Sequence, residues 1–141
     1  MVLQFTISGK PTAKGRPRLS GYGAYTPKKT ADYERQIRAA YAARCAGRRF
    51  PPGTPITARF TAYFSVPDSC SKRDKARLPG LPYTKKPDFD NLAKIVCDAL
   101  NGIAYDDDSR IYLSTTEKRY APDGVARMEV VFTDEEGRHG V

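Results

Sequence analysis

The stretch PITARFTAYFSVP (55–67) alternates without a break. Ile56, Ala58, Phe60, Ala62, Phe64 and Val66 fall on one side of an extended chain, and Thr57, Arg59, Thr61, Tyr63 and Ser65 on the other. Successive side chains of a strand point to opposite faces. One face of this strand therefore belongs to a core and the other is at least partly wet, so whatever the chain builds has to cover one side of a sheet. VLQFTIS (2–8) also reads as a strand. So do RIYLSTTEKRY (110–120) and VARMEVVFT (125–133), and the turn APDG between them predicts a hairpin.

Two helical patterns supply the cover. In TADYERQIRAAYAARCAG (30–47) Thr30 is placed to cap the N-terminus, with acids in the first turn and arginines later. Tyr33, Ile37, Ala40 and Tyr41 form one stripe, and Arg44 on the same face brings it to the surface. The second helix runs from Asp90 to Asn101, with Asn101-Gly102 as its stop. At ~100° per residue, Leu92, Ile95, Val96, Ala99 and Leu100 occupy an arc of roughly 140°. The fold class that follows is α+β: a small mixed sheet with these two helices packed on it. At 141 residues the chain is one domain, 1–133, with DEEGRHGV (134–141) as a tail.

Other signals bound the chemistry. No apolar run approaches the ~20 residues of a membrane helix, and no signal-peptide pattern precedes the first strand, so a cytoplasmic protein without an organic cofactor is expected. Cys45, Cys70 and Cys97 are odd in number and widely spaced, which fits neither a zinc site nor a disulfide framework. The single His139 lies in the tail, so chemistry has to run on carboxylates, lysines or hydroxyls.

Lysine and arginine number 24 against 16 acids, a net charge of +8. Such an excess favours a polyanionic partner. Its distribution is more telling. The segment 9–29 carries Lys10, Lys14, Arg16, Arg18, Lys28 and Lys29 and no acid, with Tyr22 and Tyr25 interleaved. Its three prolines and four glycines forbid a helix. Residues 68–87 form a second basic connection, with Lys72, Arg73, Lys75, Arg77, Lys85 and Lys86 against Asp68 and Asp74. Basic side chains neutralise phosphates, and rings stack on exposed bases. Solvated loops are the plain alternative.

Against this background KPDFDNLAKIVCDALNGIAYDDDSRI (86–111) gathers six of the sixteen acids: Asp88, Asp90, Asp98, Asp106, Asp107 and Asp108. The plain explanation is structural. Asp88 or Asp90 caps the helix, Lys94 bridges Asp90 and Asp98 at i, i+4 spacing, and YDDDS is an acidic turn. The catalytic explanation uses the same side chains on a cation. Asp88 and Asp90 alternate in an extended entry to the helix, and magnesium needs few protein ligands because it keeps several waters. Lys94 would then face the charge that gathers on a pentacovalent phosphate. A helix over 90–101 is about 18 Å long at ~1.5 Å per residue. Residues 102–108 span at most about 25 Å, so Asp107 or Asp108 can return to the helix start without being required to.

KPDFDNLAKIVCDALNG followed by YDDDSRI resembles the RusA family of Holliday-junction resolvases. GKPTAKGRPR and YTPKKTADYE resemble that family's opening, so the likeness runs from about residue 7 to about 113. It implies a homodimer that binds a four-way DNA junction and nicks two opposed strands using one or two magnesium ions per site. Position by position, the family's paired carboxylates fall on Asp88 and Asp90, its downstream acid on Asp108 and its catalytic lysine on Lys94. Asp107 matches a further acidic position, and Asp98 a recurring aspartate read here as structural. Asp106 is an added acid, and Arg110 stands where the family often has glutamine. Two rival readings remain open: a magnesium nuclease for flaps, forks or other branches, and a non-catalytic basic DNA-binding module.

Overall fold

In the computed structural model, which describes residues 1–15, 18–21, 23–25 and 27–135, four strands form one mixed sheet. They are β1 (Val2–Ser8), β4 (Ile56–Phe64), β5 (Ile111–Tyr120) and β6 (Arg127–Asp134), in the spatial order β1-β6-β4-β5. A two-stranded ribbon, β2 (Arg18–Ser20) with β3 (Gly23–Tyr25), stands apart within the first basic segment. The register explains why the main sheet closes on one side. Leu3, Phe5 and Ile7 pair with Phe132, Val130 and Met128, which in turn pair with Ala58, Phe60 and Ala62. All nine side chains are buried. Phe132 stands 6.4 Å from Phe5, 6.1 Å from Phe60 and 5.6 Å from Tyr105, measured between ring centres.

The expected hairpin does not form. β6 pairs antiparallel with β4, and β5 pairs parallel with the other edge of β4, so β4 lies between the two strands joined by APDG. The turn crosses the end of β4, where Ala121 N donates to Phe64 O at 2.8 Å. Burial decides the matter. β4 is apolar on one face along its whole length and gains two neighbours only at the centre of the sheet, whereas β5 is exposed over most of its length and suits an edge.

The covering helices are α1 (Lys28–Cys45) and α3 (Phe89–Ala99), packed on each other, with α1 against β1 and α3 against β5. Tyr33, Ile37, Tyr41 and Cys45 form the buried stripe of α1, and Arg44 is exposed. Thr30 is not the cap. Pro27 holds that position, and Thr30 sits buried in the first turn, where its Oγ accepts from Gly15 N at 3.0 Å. A proline at the boundary has its φ set and no N–H to satisfy, so the helix starts three residues early. The acids likewise fall outside its first turn.

Leu92, Ile95, Val96, Ala99 and Leu100 are buried as the sequence pattern requires. Each large apolar side chain among them contributes about 1.5–3 kcal/mol of burial. The second basic connection is more ordered than a bare loop. Ser71 caps a short helix, α2 (Lys72–Arg77), accepting from Asp74 N at 3.2 Å. Residues 80–83 then run along the end of β5 through Gly80 N to Tyr120 O, Tyr120 N to Leu81 O, and Tyr83 N to Lys118 O. Among the described residues no helix is long and apolar enough to cross a membrane.

Candidate active site

Three elements position the acids. The segment leading into α3 brings Asp88 to the N-cap position in an extended conformation, without a capping bond from its side chain. Its carboxylate instead meets Lys86 Nζ at 2.7 Å, and that lysine holds the exposed Asp88 carboxyl below the usual carboxylate range. Asp90 lies in the first turn and, among the described residues, accepts only from the amide of its neighbour Asn91, at 3.0 Å. Phe89, between the two acids, is 62% exposed. A large apolar ring left outside the core at a helix start calls for a partner, and no sequence signal distinguishes it from a core residue.

Beneath Asp88 a side chain that sequence inspection passed over fixes the backbone. Lys118, on the covered side of β5, donates to Lys85 O at 2.7 Å and Pro87 O at 2.8 Å, with its ammonium 5.7 Å from the centre of the Tyr83 ring. The Lys86–Pro87 peptide at this point is cis. Charged hydrogen bonds contribute more than neutral ones, so Lys118→Met, which keeps the aliphatic stem, should lower the unfolding free energy by about 1–3 kcal/mol. Urea denaturation monitored by circular dichroism measures this, and an unchanged midpoint would show that Lys118 is dispensable to the segment.

The third element is the turn after α3. Tyr105, fully buried, donates to Cys97 O at 2.8 Å and so ties the turn to the helix. Asn101 Oδ1 accepts from Asp108 N at 2.8 Å. The three consecutive aspartates then separate by role. Asp106 is held by Arg110, Nη2 to Oδ2 at 3.0 Å. Asp107 caps the 3-10 turn Asp108–Arg110, its Oδ2 accepting from Ser109 N at 3.0 Å. Both contacts keep the two carboxyls below the usual range. Asp108 differs. Its carboxyl faces that of Asp98, and partial burial together with the Asp107 and Asp98 charges pushes its pKa up. Burial, with Asp108 and Asp98 nearby, also pushes the Cys97 thiol up to about 12, so it stays protonated.

Lys94 is exposed and enters no ion pair among the described residues. The i, i+4 ladder with Asp90 and Asp98 is therefore absent. Asp98 is met instead by Lys14 Nζ at 3.5 Å, and Lys14 is shared with Glu34 of α1, also at 3.5 Å. Lys14 N further donates to Asn91 O at 3.1 Å. Lys14 thus joins the first basic segment to both helices, a role that only the packing of α1 on α3 reveals.

The acids fall at two levels of α3, Asp88 and Asp90 at its start and Asp98, faced by Asp108, two turns farther on. Eight residues of rise put about 12 Å between the Asp90 and Asp98 backbones. Among the described residues no three carboxylate, thiol or imidazole side chains are grouped tightly enough to hold one metal ion. The donors themselves are all carboxylate oxygens, the set a hard cation takes. Burial first, and then the Asp107 and Asp98 charges, disfavour the ionised form of Asp108, and a nearby cation would offset both.

Among the described residues Asp106 and Asp107 are held by the turn and Asp88 by Lys86, while Asp90 accepts from the adjacent amide and Asp108 faces another carboxylate. The model of the family described as Endodeoxyribonuclease RusA matches residues 8–132, nearly the whole chain. The protein belongs to the RusA family. Beyond the family model, it is 33% identical over 139 residues to the uncharacterized protein YqaN of Bacillus subtilis (strain 168), a match covering 94% of this chain and 96% of YqaN. RusA membership makes the chain one of a family of endodeoxyribonucleases.

The basic side chains named from sequence surround these acids unevenly. Lys10, Lys29, Lys72, Arg73, Lys75 and Lys85 make no ion pair among the described residues. Lys28 approaches Asp32 at 3.8 Å and Arg77 approaches Asp74 at 3.1 Å. Arg16, Tyr22 and His139 lie outside the described residues, and Arg18 and Tyr25 enter through the backbone of the β2–β3 ribbon.

Proposed function

We propose that the protein is a magnesium-dependent endonuclease that resolves four-way DNA junctions by paired nicks in opposed strands, acting as a homodimer. One observation carries the reading: carboxylates gather at both ends of α3, with Asp108 facing Asp98, while Lys94 makes no ion pair among the described residues, in a protein of net charge +8. Crowded acids facing a polyanion are costly unless a cation joins them. Asp88, Asp90 and Asp108, with Asp107 as a further candidate, would hold one or two magnesium ions per site; because Asp88 and Asp90 stand apart from Asp108, either each end of the helix takes an ion or a single ion draws the two ends together. When bound, the metal activates water and stabilises the leaving oxygen.

The chain's own residues do the rest. Lys94 presents its ammonium to the phosphate as negative charge gathers there. Lys118 keeps the 85–87 backbone, and hence Asp88, in place. Phosphates are held by Lys10, Lys28, Lys29, Lys72, Arg73, Lys75, Lys85 and Lys86, with Lys14, Arg16, Arg18 and Arg77 in the same basic segments. Two opposed strands need two sites, hence the homodimer.

The test is cleavage of an end-labelled four-way junction with Mg²⁺, beside a linear duplex and a fork. Symmetric nicks on the junction alone are expected. Equal cutting of forks would replace the junction preference with a general one for branches. Tight binding without cutting of any substrate would leave a DNA-binding module.

A further inference from the structure

A cleft of about 600 Å³ opens where the two basic connections meet, beside the start of α3. Its apolar lining comes from Pro11, Ala13, Pro27 and Pro87, and Lys10, Lys29 and Lys86 stand around it beside the ion-paired Lys14. The wall is built rather than incidental. Gly15 N donates to the buried Thr30 Oγ at 3.0 Å, and a Cβ on Gly15 would fall 2.7 Å from that oxygen, so only glycine allows the approach. Lys14 N fastens the same strand of chain to Asn91 O, one residue beyond Asp90. Lys86, on the opposite side, touches Asp88. The cleft therefore shares its border with the proposed reaction centre.

Its chemistry selects an occupant. A bare phosphate needs lysines but no apolar floor, and an intact duplex cannot enter a recess of this size. A single nucleotide satisfies both parts, with base and sugar against proline and alanine and phosphate on the lysines; pockets of this volume suit ligands of that size. We propose that the cleft receives one nucleotide turned out of the DNA stack beside the phosphate to be cut. The exposed Phe89 ring, between Asp88 and Asp90, offers an apolar surface to fill the gap left behind. Turning a nucleotide out is costly in a regular duplex and least so where pairing is already interrupted. Selectivity for branched DNA then arises from the substrate's willingness to yield a nucleotide, without any contact that reads branch shape. This rests on the nuclease reading above and adds the means of its selectivity.

The experiment places 2-aminopurine singly at each position around the branch of a four-way junction. Its fluorescence is measured on binding Asp90→Asn protein with Mg²⁺. No aromatic ring lines the cleft among the described residues, so an inserted base stays unquenched. A severalfold brightening is expected at one position on each cut strand, with none in a linear duplex. Lys10→Ala/Lys29→Ala protein, compared at low salt where it still binds, should lose the brightening. A measurement free of variants runs alongside: wild-type amide resonances of Ala13 and Gly15 should shift with a deoxynucleoside 5′-monophosphate and not with inorganic phosphate. Unchanged fluorescence at every position with the junction bound and cut by the wild type would overturn the cleft while leaving the nuclease intact. Equal shifts with inorganic phosphate would overturn it too. Failure to bind any DNA would overturn both.

Discussion

Asp88→Asn, Asp90→Asn and Asp108→Asn proteins should bind four-way junctions at least as tightly as the wild type and fail to cut them. Each exchange removes a negative charge that repels phosphate, which helps binding, and an oxygen donor from the proposed metal set, which ends catalysis. A loss of at least about 10²–10³ in cleavage rate is the scale for removing one group that stabilises the transition state. Gel-shift titration and single-turnover cleavage on the same junction separate the two effects. Asp108→Asn carries a further signature. Burial and the Asp107 and Asp98 charges raise the Asp108 pKa in the folded state, so the folded protein holds that proton more tightly than the unfolded chain. Stability is then lost as pH rises through the folded value. Asparagine removes the penalty, so the variant should melt higher than wild type at neutral pH, and the gain should vanish as pH falls below the unfolded aspartate value of about 3.9. Asp88 runs the other way, since Lys86 lowers its pKa. Its ionised form supports the fold above the unfolded value, and that support disappears as pH falls through the lowered one. Loss of junction binding in all three variants would return these acids to a purely structural role.

Much of this was open to reading in the sequence because it depends on local periodicity. The alternation of 55–67 fixed β4 and its buried face, and the apolar arc of 90–101 fixed which side of α3 meets the sheet. Pairing partners are another matter. Turn residues between two alternating runs suggest a hairpin whether or not a third strand inserts between them, and β4, from the first half of the chain, does insert. The clustering of acids was equally plain, but sorting them was not. Arg110 and Ser109 occupy Asp106 and Asp107, and Asn101 with Tyr105 turns Asp108 toward Asp98. None of these contacts has a spacing rule. Lys14 is the sharpest case. In sequence it is one more cation in a basic run, and in space it is the bridge between Glu34 and Asp98.

That distinction gives the second large effect its form: junction affinity should fall steeply with salt, and the steepness should come from particular lysines. Each phosphate neutralised on duplex DNA contributes about −0.9 to the slope of log affinity against log salt. Six basic side chains of the two connections, Lys10, Lys29, Lys72, Arg73, Lys75 and Lys85, make no ion pair among the described residues. Engaging all six in one protomer implies a slope near −5 and a loss of about 10³ in affinity between 50 and 200 mM salt. Lys29→Ala should reduce the slope by about 1. Lys14→Ala should leave it nearly unchanged, because its ammonium is already spent on Glu34 and Asp98, and should instead lower the melting temperature by leaving two acids unpaired between α1 and α3. Fluorescence anisotropy over a salt series, with a melting curve for each variant, tests the two together. Were Lys14→Ala to shallow the slope as much as Lys29→Ala, the Lys14 bridge would have to open on DNA. The segment that forms one wall of the cleft would then move with it, and the wall would be a consequence of binding rather than its preformed cause.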